Sequence, residues 1–229
     1  MNPDDAPTQD KTLQSILLVL DRLIREGKVV ARLDSSVHQI FPVSIEPAEG
    51  EALRSWIARE KAVRTIEIGL AYGISTLFIG QGLLSSGGRN ARHIAIDPYQ
   101  SNFKNCGLQL LEEAGIADIV EHYPEESQIA LPRFVNEGRE FDFAFVDGSH
   151  LFDRVFLDLM YLGRLVRPGS IIFVDDYQSP AVARAVSFCL TNLGWKPEET
   201  GPQSALHQWV VLRTPREPLS RSYPHFVDF

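Results

Sequence analysis

The sequence predicts a doubly wound α/β domain built on a mostly parallel sheet. From Thr65 onward, short buried runs of strand length alternate with longer runs of helix length, the pattern that puts helices on both faces of a parallel sheet. The 229 residues are 44% hydrophobic, enough for one sizeable core. No internal repeat or low-complexity linker divides the chain.

Lys11 to Lys28 carries Leu13, Ile16, Leu17, Leu20, Leu23 and Ile24 at spacings of three and four, which predicts an amphipathic helix. Leu18 and Val19 widen its apolar face. Such a face either covers the core alone or meets a second subunit, so a homodimer is one expectation. Glu51 to Glu60 predicts a further helix behind the turn signals Pro47 and Gly50. Strands then follow at Thr65–Ile68, His93–Ile96, Ile119–Tyr123, Phe141–Val146 and Ser170–Val174. Helices are expected at Ser75–Leu84, Phe103–Ala114, Gln128–Asn136, Leu151–Val166 and Pro180–Leu193. A strand near Trp195 and another at Gln208–Leu212 bring the count to seven and predict an antiparallel C-terminal hairpin, with Pro197 tolerated on an edge strand. The resulting division is a disordered tail (1–10), a helical N-terminal cap (11–62), the α/β domain (63–214) and a C-terminal tail (215–229).

The formal charge of −8 disfavours a surface that neutralises many phosphates, so nucleic acid is not expected as a partner. Cys106 and Cys189 form no C-x-x-C pair, so neither a zinc knuckle nor a disulfide framework is predicted. Met1 to Asp10 is polar and acidic, unlike a secretory leader, and the apolar run Ile16–Leu20 is too short to cross a bilayer. The expected location is the cytoplasm, with no membrane partner.

The first strand runs into Glu67-Ile68-Gly69-Leu70-Ala71-Tyr72-Gly73-Ile74-Ser75, a strand-to-helix turn where a ligand can approach the backbone and the helix amides. Its G-x-x-x-G spacing lacks the G-x-G-x-x-G of dinucleotide binders. The second strand ends at Asp97, placed to accept both hydroxyl protons of a ribose. Taken singly, Gly69 and Gly73 read equally as turn glycines, Asp97 as a surface acid before Pro98 and Ser127 as a helix N-cap. In this order on consecutive βα units they resemble the class I, Rossmann-like methyltransferases, over approximately Thr65 to Leu212. That resemblance implies S-adenosylmethionine as cofactor, with Glu67, Gly69, Gly73 and Ser75 around its methionine part, Asp97 at the ribose, and Ser127 and Gln128 at the adenine.

The fourth strand ends in Asp147-Gly148-Ser149-His150 and the fifth in Asp175-Asp176-Tyr177. Parallel neighbours lie about 4.8 Å apart, so these carboxylates can converge, and their repulsion calls for a compensating cation. An all-oxygen ligand set of Asp147, Asp175 and Asp176 points to magnesium, with manganese or calcium as alternatives. The arrangement resembles metal-dependent O-methyltransferases, whose catechol type takes one Asp from the fourth strand and an Asp-Asn pair from the fifth. The Asp-Asp pair and His150, where the catechol enzymes carry a lysine, are closer to the macrocin and cephalosporin-tailoring type. The resemblance implies a small hydroxylated acceptor activated at the metal, with Asp147 and His150 as catalytic residues and His150 as the base. His38, His93, His122, His207 and His225 show no ligand spacing. Alternatives are a metal-independent methyltransferase on the same fold and a non-catalytic cofactor-binding protein. The end of the fourth strand lacks the Asp/Asn-Pro-Pro-aromatic string that nucleobase methyltransferases resemble one another in. Val30 to Pro47, the loop after Tyr177 and Ser204 to His207 are expected to wall the substrate.

Overall fold

In a computed structural model that describes residues 6–203, 207–217 and 219–229, the chain divides into two units, Met1–Glu125 and Glu126–Phe229. Seven strands make the mixed, mostly parallel sheet with an antiparallel C-terminal hairpin that the sequence predicts, three from the first unit and four from the second. No helix among the described residues is long and apolar enough to cross a membrane.

The first unit opens with helix α1, Ala6–Glu26, which starts ahead of the expected Lys11, so residues 6–10 are helical where a tail is predicted. Its three-and-four spacing buries Ile16, Val19, Leu20 and Leu23 and leaves Leu17 and Leu18 50% and 72% exposed. The inner face thus covers the core. The sequence does not foresee a small antiparallel hairpin, β1 (Lys28–Val30) with β2 (Val37–Gln39), which begins where the first helix is expected to end and runs into the segment from Val30 expected as a substrate wall. Strands of three residues are too short for alternation to register. Asp34 closes its turn by accepting the Ser36 amide and hydroxyl.

Helix α2, Pro47–Glu60, has proline in its first turn, where the missing N–H costs nothing. Strand β3 (Arg64–Ile68) leads into α3 (Ile74–Gly87), β4 (Arg92–Ile96) into α4 (Cys106–Glu113), and β5 (Val120–Tyr123) closes the unit. The order is β5-β4-β3, all parallel, with Ile68 opposite Ile96 and Ile96 opposite Tyr123. Helix α4 starts three residues later than predicted, because Gln100–Phe103 forms a separate 3-10 turn and Lys104 and Asn105 take left-handed backbone angles.

The second unit runs α5 (Ser127–Asn136), β6 (Phe141–Val146), α6 (Phe152–Leu165), β7 (Val166–Val174), α7 (Pro180–Leu193), β8 (Lys196–Thr200) and β9 (Val210–Arg213). Its order is β6-β7-β9-β8: β7 is parallel to β6, and β9 is antiparallel to both β7 and β8. Pro197 lies in the exposed outer strand β8, where no ladder bond is lost. Strand β7 starts at Val166 rather than at Ser170, across a register shift against β6. In this core Phe145 meets Phe173 edge-on with ring centroids 5.7 Å apart, and Phe173 stacks on Trp209 at 6.2 Å. Cys106 and Cys189 are buried and unpaired, and burial pushes the Cys189 thiol up to about 12, so both stay inert.

The stretch expected as a C-terminal tail is tied down where it is described. Asn192, buried in α7, donates from Nδ2 to the Val227 carbonyl at 2.8 Å and accepts the Val227 amide at 2.8 Å, while Phe229 packs edge-on against Phe188. Replacing Asn192 by Ala removes both bonds and should cost about 1–3 kcal/mol in chemical denaturation. The same substitution should make the chain after Arg216 cleavable in limited proteolysis; an unchanged digest would show that the tail is held by its aromatic contacts alone.

Candidate active site

In the first unit, the β3–α3 turn requires backbone that only glycine adopts freely. Gly69 has φ +95° and Gly73 φ +75°, and the Gly73 amide donates to the Leu70 carbonyl at 2.6 Å. A side chain at Gly107, in the first turn of α4, would lie 2.5 Å from the Ala71 carbonyl oxygen, so its absence lets α4 approach the turn. Two carboxylates hold this turn. Glu67 is fully buried: it accepts the Ser75 hydroxyl at 3.1 Å and the Thr76 hydroxyl, with His93 Nε2 3.3 Å away. These bonds tie Glu67 to the first turn of α3. Asp97 accepts the Leu70 and Ala71 amides at 3.1 and 2.8 Å and Gln100 Nε2 at 3.0 Å through Oδ2, and the Tyr99 amide at 2.7 Å through Oδ1. A carboxylate offers about four acceptor positions, two on each oxygen, so Oδ1 is the oxygen with room for a further donor. The expectation that Asp97 takes both hydroxyls of a ribose meets a carboxylate already bracing the turn.

The first turn of α3 has no side-chain cap, so its amides remain available to an anionic group. Gly69, Gly73, Ser75 and Asp97 are thus gathered at one strand-to-helix turn, as the sequence predicts. Ser127 and Gln128 open α5 in the second unit. Ser127 is the first helical residue rather than the N-cap, which is Glu126, and its hydroxyl is bonded to Asp158 of α6. Gln128 Nε2 donates to the Glu126 carboxylate, which also pairs with Arg154.

The second unit holds the acidic cluster. Parallel pairing sets Val146 opposite Val174, which places Asp147 and Asp175 side by side past the strand ends. Asp176 follows at φ +54°, a left-handed conformation uncommon outside glycine, and its amide donates to Asp175 Oδ1 at 2.6 Å. His150 Nε2 lies 2.7 Å from Asp176 Oδ2 and 3.9 Å from Asp147 Oδ1. His207, absent from the sequence-based site, brings Nδ1 to 3.2 Å from Asp176 Oδ1 and 3.5 Å from Asp175 Oδ2. The donor atoms form two groups that share Asp176, one with Asp147 and His150, the other with Asp175 and His207, each spanning no more than 4.8 Å. Of the stretch expected to wall the substrate, Ser204 to Leu206 lie outside the described residues.

Crowding governs the ionisation of this cluster. Burial, reinforced by the charges of Asp147 and Asp176, pushes Asp175 up to about 8. Burial likewise raises Asp147 to about 6, opposed by its hydrogen bond to His150. Asp176 is also penalised by burial, yet the hydrogen bond and charge of His150 hold it below the usual carboxylate range. His150 is in turn raised by its hydrogen bonds to Asp147 and Asp176. Asp175 Oδ2 is buried without a hydrogen bond. Two or three clustered acids, buried oxygens and two flanking imidazoles are a donor set that fits a divalent cation.

A methyltransferase-domain family profile matches residues 66–177, from β3 to the residue after the Asp-Asp pair. The catechol O-methyltransferase of Mycobacterium tuberculosis is 26% identical over 175 residues, covering 76% of this chain and 72% of that protein. A caffeoyl-CoA O-methyltransferase of Stellaria longipes is 26% identical over 204 residues, covering 83% of each. Among solved structures, an O-methyltransferase from Bacillus cereus in complex with SAH superposes with a TM-score of 0.65 at 19% identity, covering 89% of this chain and 90% of that one, so the fold is shared.

The contact between Ser127 and Asp158 yields a stability test. Burial, the largest influence, pushes Asp158 up to about 6 despite the Ser127 hydrogen bond and the charge of Arg154. The folded form therefore holds the proton more tightly than the unfolded chain, whose Asp titrates near 3.9, and ionised Asp158 costs stability above that window. The penalty is absent below about pH 4, grows through pH 6 and is then constant, at about 2–3 kcal/mol. Asp158→Asn should gain stability relative to the parent by that amount between pH 4 and pH 7 in urea melts. A difference that does not vary with pH would show that Asp158 is not buried as an acid.

Proposed function

We propose that the chain is an S-adenosylmethionine-dependent O-methyltransferase of the class I fold and that it methylates a hydroxyl oxygen of a small molecule with the help of a divalent cation. The observation that carries the oxygen acceptor is the pair of donor groups that share Asp176, one with Asp147 and one with Asp175, with a buried Asp175 oxygen left unbonded. The relatives named for catechol and caffeoyl-CoA support a hydroxylated acceptor, one with a second oxygen beside the reacting one.

In this reading Gly69 and Gly73 admit the cofactor to the backbone, and Ser75 and the first-turn amides of α3 meet its methionine carboxylate. Glu67 is a positioning residue acting through Ser75 and Thr76. Asp97 receives a ribose hydroxyl at Oδ1 while Oδ2 keeps the turn in place. Ser127 and Gln128 take the adenine role that the family resemblance implies. Bound S-adenosylmethionine supplies the methyl group and its own leaving group, and a bound divalent cation lowers the pKa of an oxygen it contacts. Asp147, Asp175 and Asp176 hold the cation, and His150, half exposed at the edge of the cluster, receives the acceptor's proton. To do so it must first yield the proton it shares with Asp176.

That last requirement supports a second reading. Since His150 and His207 already face the carboxylates, the cluster is compensated without an ion, and a metal-independent methyl transfer positioned by Asp147 fits the same residues.

Two measurements test the proposal. Calorimetry should show S-adenosylhomocysteine binding, weakened by about 1.5–3 kcal/mol in Asp97→Ala, which loses both a ribose partner and the brace of the turn. Binding of NAD in its place would overturn the cofactor assignment. Methyl transfer to small ortho-dihydroxy probes should stop in excess chelator and in Asp175→Asn, with cofactor affinity kept. His150→Ala should lower the maximal rate by about 10²–10⁴-fold. Full turnover in chelator would favour the second reading.

A further inference from the structure

We propose that His207 is a direct ligand of the cation held at Asp175 and Asp176, and that it makes the site selective for a first-row transition ion over magnesium. This rests on the reading that a divalent cation occupies the cluster. It adds a nitrogen donor to a ligand set that the strand ends alone make entirely of oxygen.

The topology puts His207 there. Strand β9 runs antiparallel to β7 with Val210 opposite Val174, so the residues just before Val210 pass beside the chain that leaves β7 at Asp175. Two bonds lock this crossing: the Tyr177 amide donates to the Gln208 carbonyl at 2.6 Å, and the Gln208 amide donates to Gln178 Oε1 at 2.7 Å. Gln178 in turn donates from Nε2 to Asp176 Oδ1 at 2.6 Å, so one amide side chain fixes both a carboxylate and the backbone beside the imidazole. His207 itself is 15% exposed and is positioned rather than free on the surface.

The distances suit ligands of one ion. Ligand atoms about 2.1 Å from a metal stand roughly 3.0 Å apart at octahedral right angles and roughly 3.4 Å apart at tetrahedral ones. His207 Nδ1 lies 3.2 Å from Asp176 Oδ1 and 3.5 Å from Asp175 Oδ2. The independent observation is Asp175 Oδ2, an oxygen on a side chain only 1% exposed that makes no hydrogen bond and faces this imidazole. A buried carboxylate oxygen without a donor is costly, and a cation between it and His207 removes that cost.

Imidazole decides the metal. Carboxylate and water oxygens suit magnesium, whereas a nitrogen donor shifts preference toward manganese, iron, cobalt, nickel and zinc. Magnesium also dehydrates reluctantly and gains least from an all-protein pocket.

The test uses the full chain freed of metal by chelator and titrated with Co²⁺ followed by visible absorption, and with Mg²⁺ followed by calorimetry. Co²⁺ should bind, and His207→Gln should weaken it by about 10–100-fold while changing Mg²⁺ affinity far less. In the Co²⁺-loaded protein, proton NMR should show a paramagnetically shifted imidazole N–H signal that is lost in His207→Gln and kept in His150→Gln. His207→Ala, checked by circular dichroism, guards against a misfolded first variant. Equal Co²⁺ affinity in wild type and both His207 variants would overturn the ligand assignment while leaving the cation site standing. No binding of Co²⁺ or Mg²⁺ at millimolar concentration would overturn the cation reading itself.

Discussion

Buried negative charge is the constraint on which the rest of this structure depends. Strand pairing delivers Asp147 and Asp175 to neighbouring positions, and the left-handed turn at Asp176 adds a third carboxylate beside them. Acids this close raise one another's cost of ionisation, and burial compounds it. The surrounding chain answers with two imidazoles. His150 comes from the residues leading into α6 and His207 from those leading into β9, each meeting one oxygen of Asp176.

The β3–α3 turn solves a similar problem with neutral donors. Glu67 and Asp97 are both buried, yet among the described residues neither forms an ion pair with a lysine or arginine. Hydroxyls of Ser75 and Thr76 satisfy Glu67, and amides of Leu70, Ala71 and Tyr99 satisfy Asp97. Backbone amides aimed at a carboxylate are held by the chain itself, so this turn is set before any ligand arrives, the preorganisation that binding rewards. The acidic cluster differs because imidazoles, rather than only backbone amides and hydroxyls, meet its carboxylates.

The parts of the fold legible in the sequence are those in which one period dominates a long enough run. The strands ending at Ile96, Val146 and Val174 end as expected, so Asp97, Asp147 and Asp175 stand just past strand ends as read from sequence alone. The hairpin of Lys28–Val30 with Val37–Gln39 escaped because three residues carry no measurable alternation. The early start of β7 escaped because Pro168 and Gly169 interrupt the apolar run ahead of Ser170, whereas the strand passes through them where its pairing with β6 shifts register. Asp97 was found as an acid at a strand end, but its four donors, which come from backbone and from Gln100, leave no mark in sequence. His207 is the instructive miss. Spacing rules look for ligands three or four residues apart, and this imidazole is 31 positions from Asp176. The usable signal was topological: a C-terminal hairpin beside the fifth strand must return past that strand's carboxyl end, and His207 stands just before the returning strand.

That return path also explains why an imidazole, rather than a lysine, suits the position. A cluster that must fold without its cation needs a partner for its buried acids, and one that must accept the cation needs that partner to become a ligand. A lysine ammonium does the first and, being a donor with no lone pair, blocks the second. Imidazole does both: protonated, it pairs with Asp175 and Asp176, and neutral, it offers nitrogen to a metal. Under the proposal that a divalent ion binds here, exchange of a proton for that ion would leave the carboxylates compensated in either state, so the strand ends and the turn at Asp176 would not need the ion in order to form.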